Sequence, residues 1–314
     1  MAKIAEEKVV NLDVFQKGSI QWKHCDIPTK PPSSPPKPLV IFTPTVPGAY
    51  TVMVFYHGFL LQPSDYCDLL GHIVSHGFIV VAPHLSSWYD FVLIDEIKEA
   101  GKVVDWLVKG LQPLLPENVE AKLEKVVLSG HSKGGQTAFC VALGHHVKTM
   151  LKFSAVIGID PVGGLTKCKV SKTSPKILTG VPRSLDLKAP VAVIGTGLGP
   201  EKANVLFPPC APEGKNHVDF FNESKPPCAN FVAADYGHMD MLDDETPGTF
   251  DTVLSKCLCK NGEGPRMFMR MTVGGLVVAF LRAHLDKQIE DFKAIIKTPS
   301  LAPARLVDVK YIPA

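Results

Sequence analysis

Short apolar runs alternate with longer amphipathic segments through much of this 314-residue chain. The runs predict strands because they are short and rich in β-branched side chains, at residues 51–57, 77–83, 125–129 and 153–160. The segments between them repeat apolar side chains at helical spacing, at residues 66–76, 94–111 and 134–145. The sequence therefore predicts an α/β fold with a mostly parallel central sheet and helices on both faces. Later runs predict strands at residues 191–195 and 231–236 and a helix at 273–285.

Nothing in the length or spacing of these segments requires a second domain. We predict one domain over residues 1–314, and within residues 1–38 an N-terminal strand followed by a loop with five prolines in eight residues. Between residues 163 and 190 the apolar periodicity fades into lysine, serine, threonine and proline, which predicts a small cap or lid over the sheet. The last thirty residues are expected to be peripheral.

Charge and composition exclude several classes of protein. The 33 basic and 31 acidic side chains leave a net charge of +2, which gives no field for holding nucleic acid. The chain is 46% hydrophobic and 20% charged, a balance that excludes a disordered protein. The longest apolar stretch, at residues 272–281, is well short of the ~20 residues of a membrane span. We therefore expect a soluble protein.

Neither a targeting segment nor a metal site is evident in the sequence. The first residues include Glu6, Glu7 and Asp13 without an apolar core, which is typical of neither a signal peptide nor a transit peptide. Eight cysteines are too few for a disulfide scaffold of this length. The closest pair, Cys257 and Cys259, has a single-residue gap that suits zinc poorly. We predict no bound metal.

The strand at residues 125–129 leads directly into the run SGHSKGG at residues 129–135 and then into a helix. This run contains the pattern G-x-S-x-G, in which glycines allow a sharp strand-to-helix turn that exposes a serine hydroxyl. The pattern alone is only suggestive, but here the strand, the turn and the helix follow in the required order. We predict that Ser132 is a nucleophile.

A serine hydroxyl needs a histidine to take its proton, and in this architecture the partners follow the serine in the order acid, histidine. This order leaves His217, His238 and His284. His284 lies among the apolar residues of the last predicted helix, and His217 lies in a polar stretch with no strand before it. His238 follows the strand at residues 231–236 and is the predicted base.

The acid must hold the imidazole in the correct tautomer. Asp160 ends the strand that follows the nucleophile helix, at the edge of the sheet where functional side chains gather. The alternative is Glu201, the first carboxylate after the strand at residues 191–195. We favour Asp160.

Two backbone N–H groups are predicted to stabilise the oxyanion that forms when an ester is attacked. One belongs to Lys133, directly after the nucleophile, and the other to Phe59, in the loop after the strand that ends at His57. His57 precedes the serine, so we expect it to brace this loop. An apolar substrate is expected, because apolar side chains follow the first two strands, namely Leu60, Leu61, Trp88 and Tyr89.

The chain resembles the plant chlorophyllases. The likeness lies in LSGHSKGG at residues 128–135, GIDPV at 158–162, YGHMDML at 236–242 and FYHGF at 55–59. It implies an α/β-hydrolase fold in which Ser132, Asp160 and His238 form a triad. It also implies hydrolysis of the phytyl ester of chlorophyll to chlorophyllide and phytol through an acyl-enzyme. No protein-bound cofactor is implied, because the magnesium belongs to the pigment.

Two other functions and several properties stay open on the sequence. The first alternative is a general lipase or carboxylesterase for other apolar esters, and the second is a receptor-like protein that binds a small terpenoid without turning it over. The resemblance implies chlorophyll as the partner and the chloroplast as the compartment, with the cytosol or the endoplasmic reticulum surface left open. A peripheral membrane contact through the lysines of residues 163–190 is left open, and no oligomeric state is predicted.

Overall fold

The computed structural model describes residues 12–30, 34–85, 93–164, 176–245 and 258–314. Within these residues, nine strands form one sheet. The strands are β1 Trp22–Ile27, β2 Leu39–Pro44, β3 Gly48–Tyr56, β4 Phe78–Pro83, β5 Val119–His131, β6 Phe153–Ile159, β7 Val191–Thr196, β8 Cys228–Ala233 and β9 Leu306–Ile312. The α-helices are α1 Cys67–Ser75, α2 Leu93–Gly110, α3 Lys133–Ala142, α4 His217–Glu223, α5 Arg266–Leu285 and α6 Glu290–Lys297.

The sheet is parallel through its centre and antiparallel at its edges. The strands lie in the order β1-β2-β4-β3-β5-β6-β7-β8-β9. Neighbours from β4 to β8 pair in parallel, whereas β1 and β2 at one edge and β9 at the other pair antiparallel. The expected α/β fold with a mostly parallel sheet is confirmed. Because β3, β5, β6 and β8 run parallel, the loops after their carboxyl ends meet at one edge of the sheet.

The strands of the centre are continuous apolar runs because both faces of the sheet are covered. Every residue of β4, β7 and β8 is buried. Helices α1, α5 and α6 cover one face, and α2, α3 and α4 cover the other. In α2 the buried side chains recur at helical spacing, while charged side chains such as Asp95 and Lys98 face outward. The helical spacing of apolar side chains in the sequence of α2 therefore reflects the burial of one side of this helix against the sheet.

The C-terminal region is part of the core, so the expectation of a peripheral end is wrong. Strand β9 pairs with β8, and helix α6 buries Phe292 and Ile295. Strand β9 lies at the edge of the sheet and is only partly buried, with a burial pattern that does not alternate. The run Val307-Asp308-Val309-Lys310-Tyr311 alternates apolar and polar side chains, and this alternation is the sequence signal that indicates the strand.

The segment at residues 163–190, expected to be a cap, is described only outside residues 165–175. Its second half packs beside α4, where Ile177, Leu185 and Leu187 are buried. The carboxylate of Glu223 accepts hydrogen bonds from the backbone N–H groups of Thr179 and Gly180, each at 2.7 Å. This half of the segment therefore closes the end of α4.

Helix α5 is the one helix of the described residues that is long and apolar enough to cross a membrane by length and composition. In its most apolar stretch of 18 residues, 67% is buried inside the protein. Its side chains pack against α1 and against the N-terminal turn that contains Phe15. It is a core helix.

Candidate active site

Ser132 lies at a sharp turn between β5 and α3. Its backbone has φ 57° and ψ −123°, a strained conformation for a residue with a side chain. Glycines allow this turn, because a Cβ on Gly130 would lie 2.3 Å from the carbonyl oxygen of Gly134, and one on Gly134 would lie 2.1 Å from that of Tyr56. The first turn of α3 therefore sits directly against the end of β3. The strained turn directs the Ser132 hydroxyl toward the edge of the sheet.

The structure brings together the three residues predicted for the triad. The Ser132 hydroxyl donates to Nε2 of His238, with the two atoms 2.8 Å apart. Nδ1 of His238 donates to Oδ2 of Asp160 at 2.6 Å. All three side chains are buried, and Glu201, the alternative acid, is exposed. Ser132, His238 and Asp160 are therefore joined in one hydrogen-bonded chain.

Asp160 is fully buried and accepts more hydrogen bonds than a triad requires. Thr196 donates its hydroxyl to Oδ2 at 2.6 Å and its N–H to Oδ1 at 3.2 Å. Nδ1 of His217 donates to Oδ1 at 3.1 Å. Burial favours the protonated acid, but the hydrogen bonds and charges of His217 and His238 outweigh it, so the pKa of Asp160 lies below its ordinary value. Asp160 is held as a carboxylate.

The sequence does not indicate a role for His217, because no strand precedes it. It is the first residue of α4, whose start is fixed by Asn216, which accepts the N–H of Val218, and by Asp219, which accepts the N–H of Asn216. The pattern Asn-x-x-Asp is a helix-start signal that could have located this short helix. It could not have revealed the contact with Asp160, which is 57 residues away.

A second chain of hydrogen bonds runs behind Ser132 and connects the three loops of the site. The N–H of Gly58 donates to the Tyr66 hydroxyl at 3.0 Å, and this hydroxyl donates to Nδ1 of His131 at 2.7 Å. Nε2 of His131 donates to the backbone carbonyl of His238 at 2.9 Å. This order of donors and acceptors fits a neutral His131 ring that carries its proton on Nε2 and has a free lone pair on Nδ1. Tyr66 and His131 therefore tie the loop after β3 to the nucleophile and to His238.

His57 and Lys133 hold the loop after β3 from its other side. Nδ1 of His57 donates to the carbonyl of Gly58 at 2.8 Å, and Nε2 accepts the N–H of Leu85 at 3.2 Å. Nζ of Lys133 forms an ion pair with Glu96 of α2 and lies 5.5 Å from the centre of the Phe59 ring. Lys133 and Phe59, the two residues predicted to donate to the oxyanion, are thus neighbours beside Ser132.

Acidification should destabilise the fold, because buried histidines stay neutral within it. Burial lowers the pKa of His131 to about 3 and the pKa values of His57 and His72 to about 4. In the unfolded chain they are protonated below about pH 6.5, so their contribution to stability is complete above that pH and is lost as the pH falls toward 4. Within this window, each of these histidines lowers the free energy of unfolding by about 1.4 kcal/mol for every pH unit of acidification. Asp243, with its pKa raised to about 7 by burial, offsets one of them.

Thermal melting followed by circular dichroism checks this expectation. The melting temperature should fall steadily between about pH 7 and about pH 5. His72, whose Nε2 donates to the carbonyl of Val14, provides the test variant, and His72→Asn should make the melting temperature less dependent on pH. A melting temperature that stays constant over this range would contradict the assignment of neutral buried histidines.

A cavity of about 230 Å³ opens above Ser132 and His238. Its walls are mostly apolar. Among the described residues they come from the loop after β3, the nucleophile turn, the segment before α4, the loop after β8 and residues 258–259. The lining side chains are Phe59, Leu60, Leu61, His131, Ser132, Phe207, Pro208, Pro209, Cys210, His238, Met239, Leu258 and Cys259.

The predicted substrate-binding residues therefore divide into two groups. Leu60 and Leu61 line the cavity, whereas Trp88 and Tyr89 lie outside the described residues. No described residue of the segment at 163–190 lines it, and the segment with Phe207 borders it instead. In the part of the chain that the structure describes, no group of three or more His, Cys, Asp or Glu side chains is placed to hold a metal ion.

A disulfide between Cys210 and Cys259 joins two walls of this cavity. The sequence pattern did not indicate it, because the two cysteines are 49 residues apart and neither has a paired neighbour at a recognisable spacing. Cys257 lies outside the described residues. The bond connects the segment before α4 to the segment before α5.

Comparison with known proteins extends this picture to the whole chain. A family model described as Chlorophyllase matches residues 10–313. The chain is 47% identical to Chlorophyllase-1 of Arabidopsis thaliana over 304 residues, which cover 95% of this chain and 92% of that protein. It is 51% identical to Chlorophyllase-2 of the same plant over 255 residues, 81% of this chain and 79% of the relative. It is 46% identical to Chlorophyllase-1, chloroplastic, of Citrus unshiu over 307 residues, 96% and 90% of the two chains.

The chain belongs to the chlorophyllase family. The resemblance drawn from the sequence is therefore confirmed, as is the expectation of a carboxylic ester hydrolase. The match to the chlorophyllase model begins before β1 and extends past the end of β9. It therefore includes the antiparallel strands at both edges of the sheet.

Proposed function

We propose that this protein hydrolyses the phytyl ester of chlorophyll, releasing chlorophyllide and phytol, with Ser132, His238 and Asp160 as its catalytic triad. The observation that carries the proposal is the hydrogen-bonded chain from Ser132 through His238 to Asp160 at the base of an apolar cavity, in a member of the chlorophyllase family. Hydrolysis of an ester by a serine enzyme requires a nucleophile and a base, and binding of a phytyl ester requires apolar walls, so the arrangement supplies what the reaction needs.

In the first half of the reaction His238 removes the proton of the Ser132 hydroxyl as Oγ attacks the ester carbonyl carbon. The tetrahedral intermediate then collapses, the bond to the phytyl oxygen breaks, and His238 gives its proton to that oxygen. Phytol leaves, and the pigment's acyl group remains on Ser132. Asp160 stabilises the imidazolium that exists between the two proton transfers.

In the second half a water molecule attacks the acyl carbon while His238 takes its proton. The proton then passes to Oγ of Ser132 as the acyl–enzyme bond breaks, and chlorophyllide leaves as a carboxylic acid. The enzyme returns to its starting state, so no cofactor or redox step is needed.

The backbone N–H groups of Lys133 and Phe59 are proposed to stabilise the oxyanion. Lys133 directly follows Ser132 and is the first residue of α3, so its N–H lies beside the nucleophile in the position that the nucleophile turn gives an oxyanion donor. The N–H of Gly58 is used by Tyr66, so we assign the next amide along the loop, that of Phe59, as the second donor. Removing one such donor costs about 2.7–4 kcal/mol of transition-state stabilisation in other serine hydrolases.

Tyr66→Phe should lower kcat about tenfold and leave KM nearly unchanged. The substitution removes the hydroxyl that accepts the N–H of Gly58 and donates to His131, so the loop carrying Phe59 loses one of its supports. Tyr66 does not line the cavity, so substrate contacts remain. Steady-state kinetics on a soluble ester provide the measurement, with circular dichroism to show that the fold is intact. A rise in KM at unchanged kcat would contradict this role.

The cavity accommodates the ester and only part of chlorophyll. Its volume of about 230 Å³ is below the roughly 300–1,000 Å³ of typical ligand pockets. A molecule with a macrocycle and a long isoprenoid chain must therefore extend over the rim. Specificity is expected to depend on the rim as well as on the cavity walls.

The direct test is to incubate the purified protein with chlorophyll in detergent and to separate the products by liquid chromatography. Chlorophyllide and phytol should appear in equal amounts. Rapid cleavage of p-nitrophenyl butyrate without chlorophyllide would overturn the proposal in favour of a general esterase. Tight binding of a terpenoid without any ester hydrolysis would overturn it in favour of a receptor-like protein.

We place this activity in the chloroplast. Two relatives that are 46% identical to this chain, from Citrus unshiu and Citrus sinensis, are named chloroplastic. A fluorescent fusion of the full reading frame, expressed in leaf cells, should coincide with chlorophyll fluorescence. Fluorescence confined to the cytosol or the endoplasmic reticulum would overturn this placement.

A further inference from the structure

Three successive apolar side chains project from the surface beside the cavity mouth. Val205 is 92% exposed, Leu206 is 83% exposed and Phe207 is 41% exposed. We call residues 205–207 the apolar tip. Phe207 also lines the cavity, so the tip is continuous with the site that contains Ser132. Exposed large apolar side chains that cluster mark a contact surface more often than isolated ones do.

The local structure presents the tip rather than burying it. The side chain of Asn204 accepts hydrogen bonds from the N–H groups of Leu206 and Phe207, at 2.9 and 3.3 Å, which closes a tight turn. Pro208 and Pro209 follow and restrict the backbone. Cys210 then fixes the base of the turn through its disulfide with Cys259. The tip is thus held outward on a cross-linked base.

We propose that the apolar tip inserts into the lipid surface that holds the substrate and sets the cavity mouth against it. This inference rests on the proposed function. The occupant is a lipid surface because the cavity holds only part of the substrate, so the remainder lies beyond the rim that the tip and Phe59 form. An apolar medium over that rim keeps the remaining isoprenoid chain out of water, whereas an aqueous rim would expose it.

The tip itself is uncharged, which suits an apolar medium. Residues 203–212 contain no charged side chain. Lys202 lies beside them in the chain, the exposed Lys260 lies next to the disulfide partner Cys259, and the exposed Glu201 and Glu213 bound the segment. Lysines beside inserted apolar side chains place their ammonium groups among lipid headgroups, where anionic lipids attract them. Apolar anchors with flanking basic residues are typical of proteins that bind reversibly at a lipid surface.

The test compares two double variants of the intact, oxidised protein. Val205→Ser/Leu206→Ser removes the exposed part of the tip without changing a cavity-lining residue. Met150→Ser/Val181→Ser is the matched control, because Met150 and Val181 are 68% and 57% exposed and neither lines the cavity. Binding is measured by sedimentation with vesicles of phosphatidylcholine and phosphatidylglycerol. The tip variant should bind at least about tenfold more weakly than the wild type, and the control should bind as the wild type does.

Activity on two substrates separates a surface contact from damage to the site. The tip variant should hydrolyse p-nitrophenyl butyrate in solution at the wild-type rate but form chlorophyllide from vesicle-held chlorophyll at least about tenfold more slowly. Vesicle binding equal to that of the wild type, no vesicle binding by the wild type itself, or a parallel loss on the soluble ester would each overturn the proposal. If the wild type forms no chlorophyllide from any preparation, the proposed function fails, while sedimentation still decides the role of the tip.

Discussion

Replacing Ser132 by alanine should lower the rate of chlorophyllide formation by about 10⁴- to 10⁶-fold. The variant keeps the cavity, the donors proposed for the oxyanion and the His238–Asp160 pair, but it has no atom that can form the acyl-enzyme. The remaining rate reflects binding and electrostatic stabilisation alone. Product formation by the wild type and the variant, measured at saturating chlorophyll in detergent, gives the ratio directly.

Ser129→Ala is the matched control for this experiment. Ser129 belongs to the same run of residues and its hydroxyl is buried, but this hydroxyl has no hydrogen-bond partner. Its removal breaks no bond, so activity should remain within about twofold of the wild type and stability should change little. A Ser132→Ala variant that retained a tenth of the activity, with an intact circular dichroism spectrum, would exclude Ser132 as the nucleophile.

Replacing Asp160 by asparagine should lower kcat by about 10⁴-fold. The amide is nearly the same size as the carboxylate, so the fold is expected to survive. However, it cannot stabilise an imidazolium, and its NH₂ group would hold His238 in the wrong tautomer. The change also removes the charge that His217 and Thr196 hold in place. The loss should appear in kcat more than in KM, because Asp160 does not line the cavity.

Glu201→Gln is the control for the acid, because Glu201 is exposed and was the sequence-based alternative. It should retain the wild-type rate on both chlorophyll and p-nitrophenyl butyrate. A strong loss in Glu201→Gln together with a mild one in Asp160→Asn would reverse the assignment of the acid.

The parts of the site that could be predicted are those fixed by local order along the chain. Ser132 follows a strand and precedes a helix, and Asp160 directly follows β6, which pairs in parallel with β5. His238 lies in the loop after β8, and carboxyl ends of parallel strands meet at one edge. The strand order therefore brings these three residues to the same edge of the sheet, and a pattern of apolar runs is enough to indicate it.

The parts that could not be predicted depend on contacts between distant segments. Tyr66 meets His131 across 65 residues, His217 meets Asp160 across 57, and Cys210 meets Cys259 across 49. None of these pairs has a local period or spacing, so only the folded chain reveals them. The antiparallel edge strand β9 differs from these pairs, because its alternating run Val307-Asp308-Val309-Lys310-Tyr311 is a local signal that could have indicated it.

The close contact of α3 with β3 has a consequence for how this protein can change its substrate. The nucleophile is held by backbone against backbone at Gly130, Gly134 and Tyr56, whereas the far wall of the cavity is built from two segments joined by one cross-link. Side chains on that wall can therefore be exchanged without moving Ser132. We expect libraries randomised at Phe207 and Leu258 to yield esterases with altered acyl or alcohol preference that keep the same chemical step. Because the reaction centre is fixed by the backbone and the side chains of the far wall can be exchanged, this protein is a suitable scaffold for directed evolution.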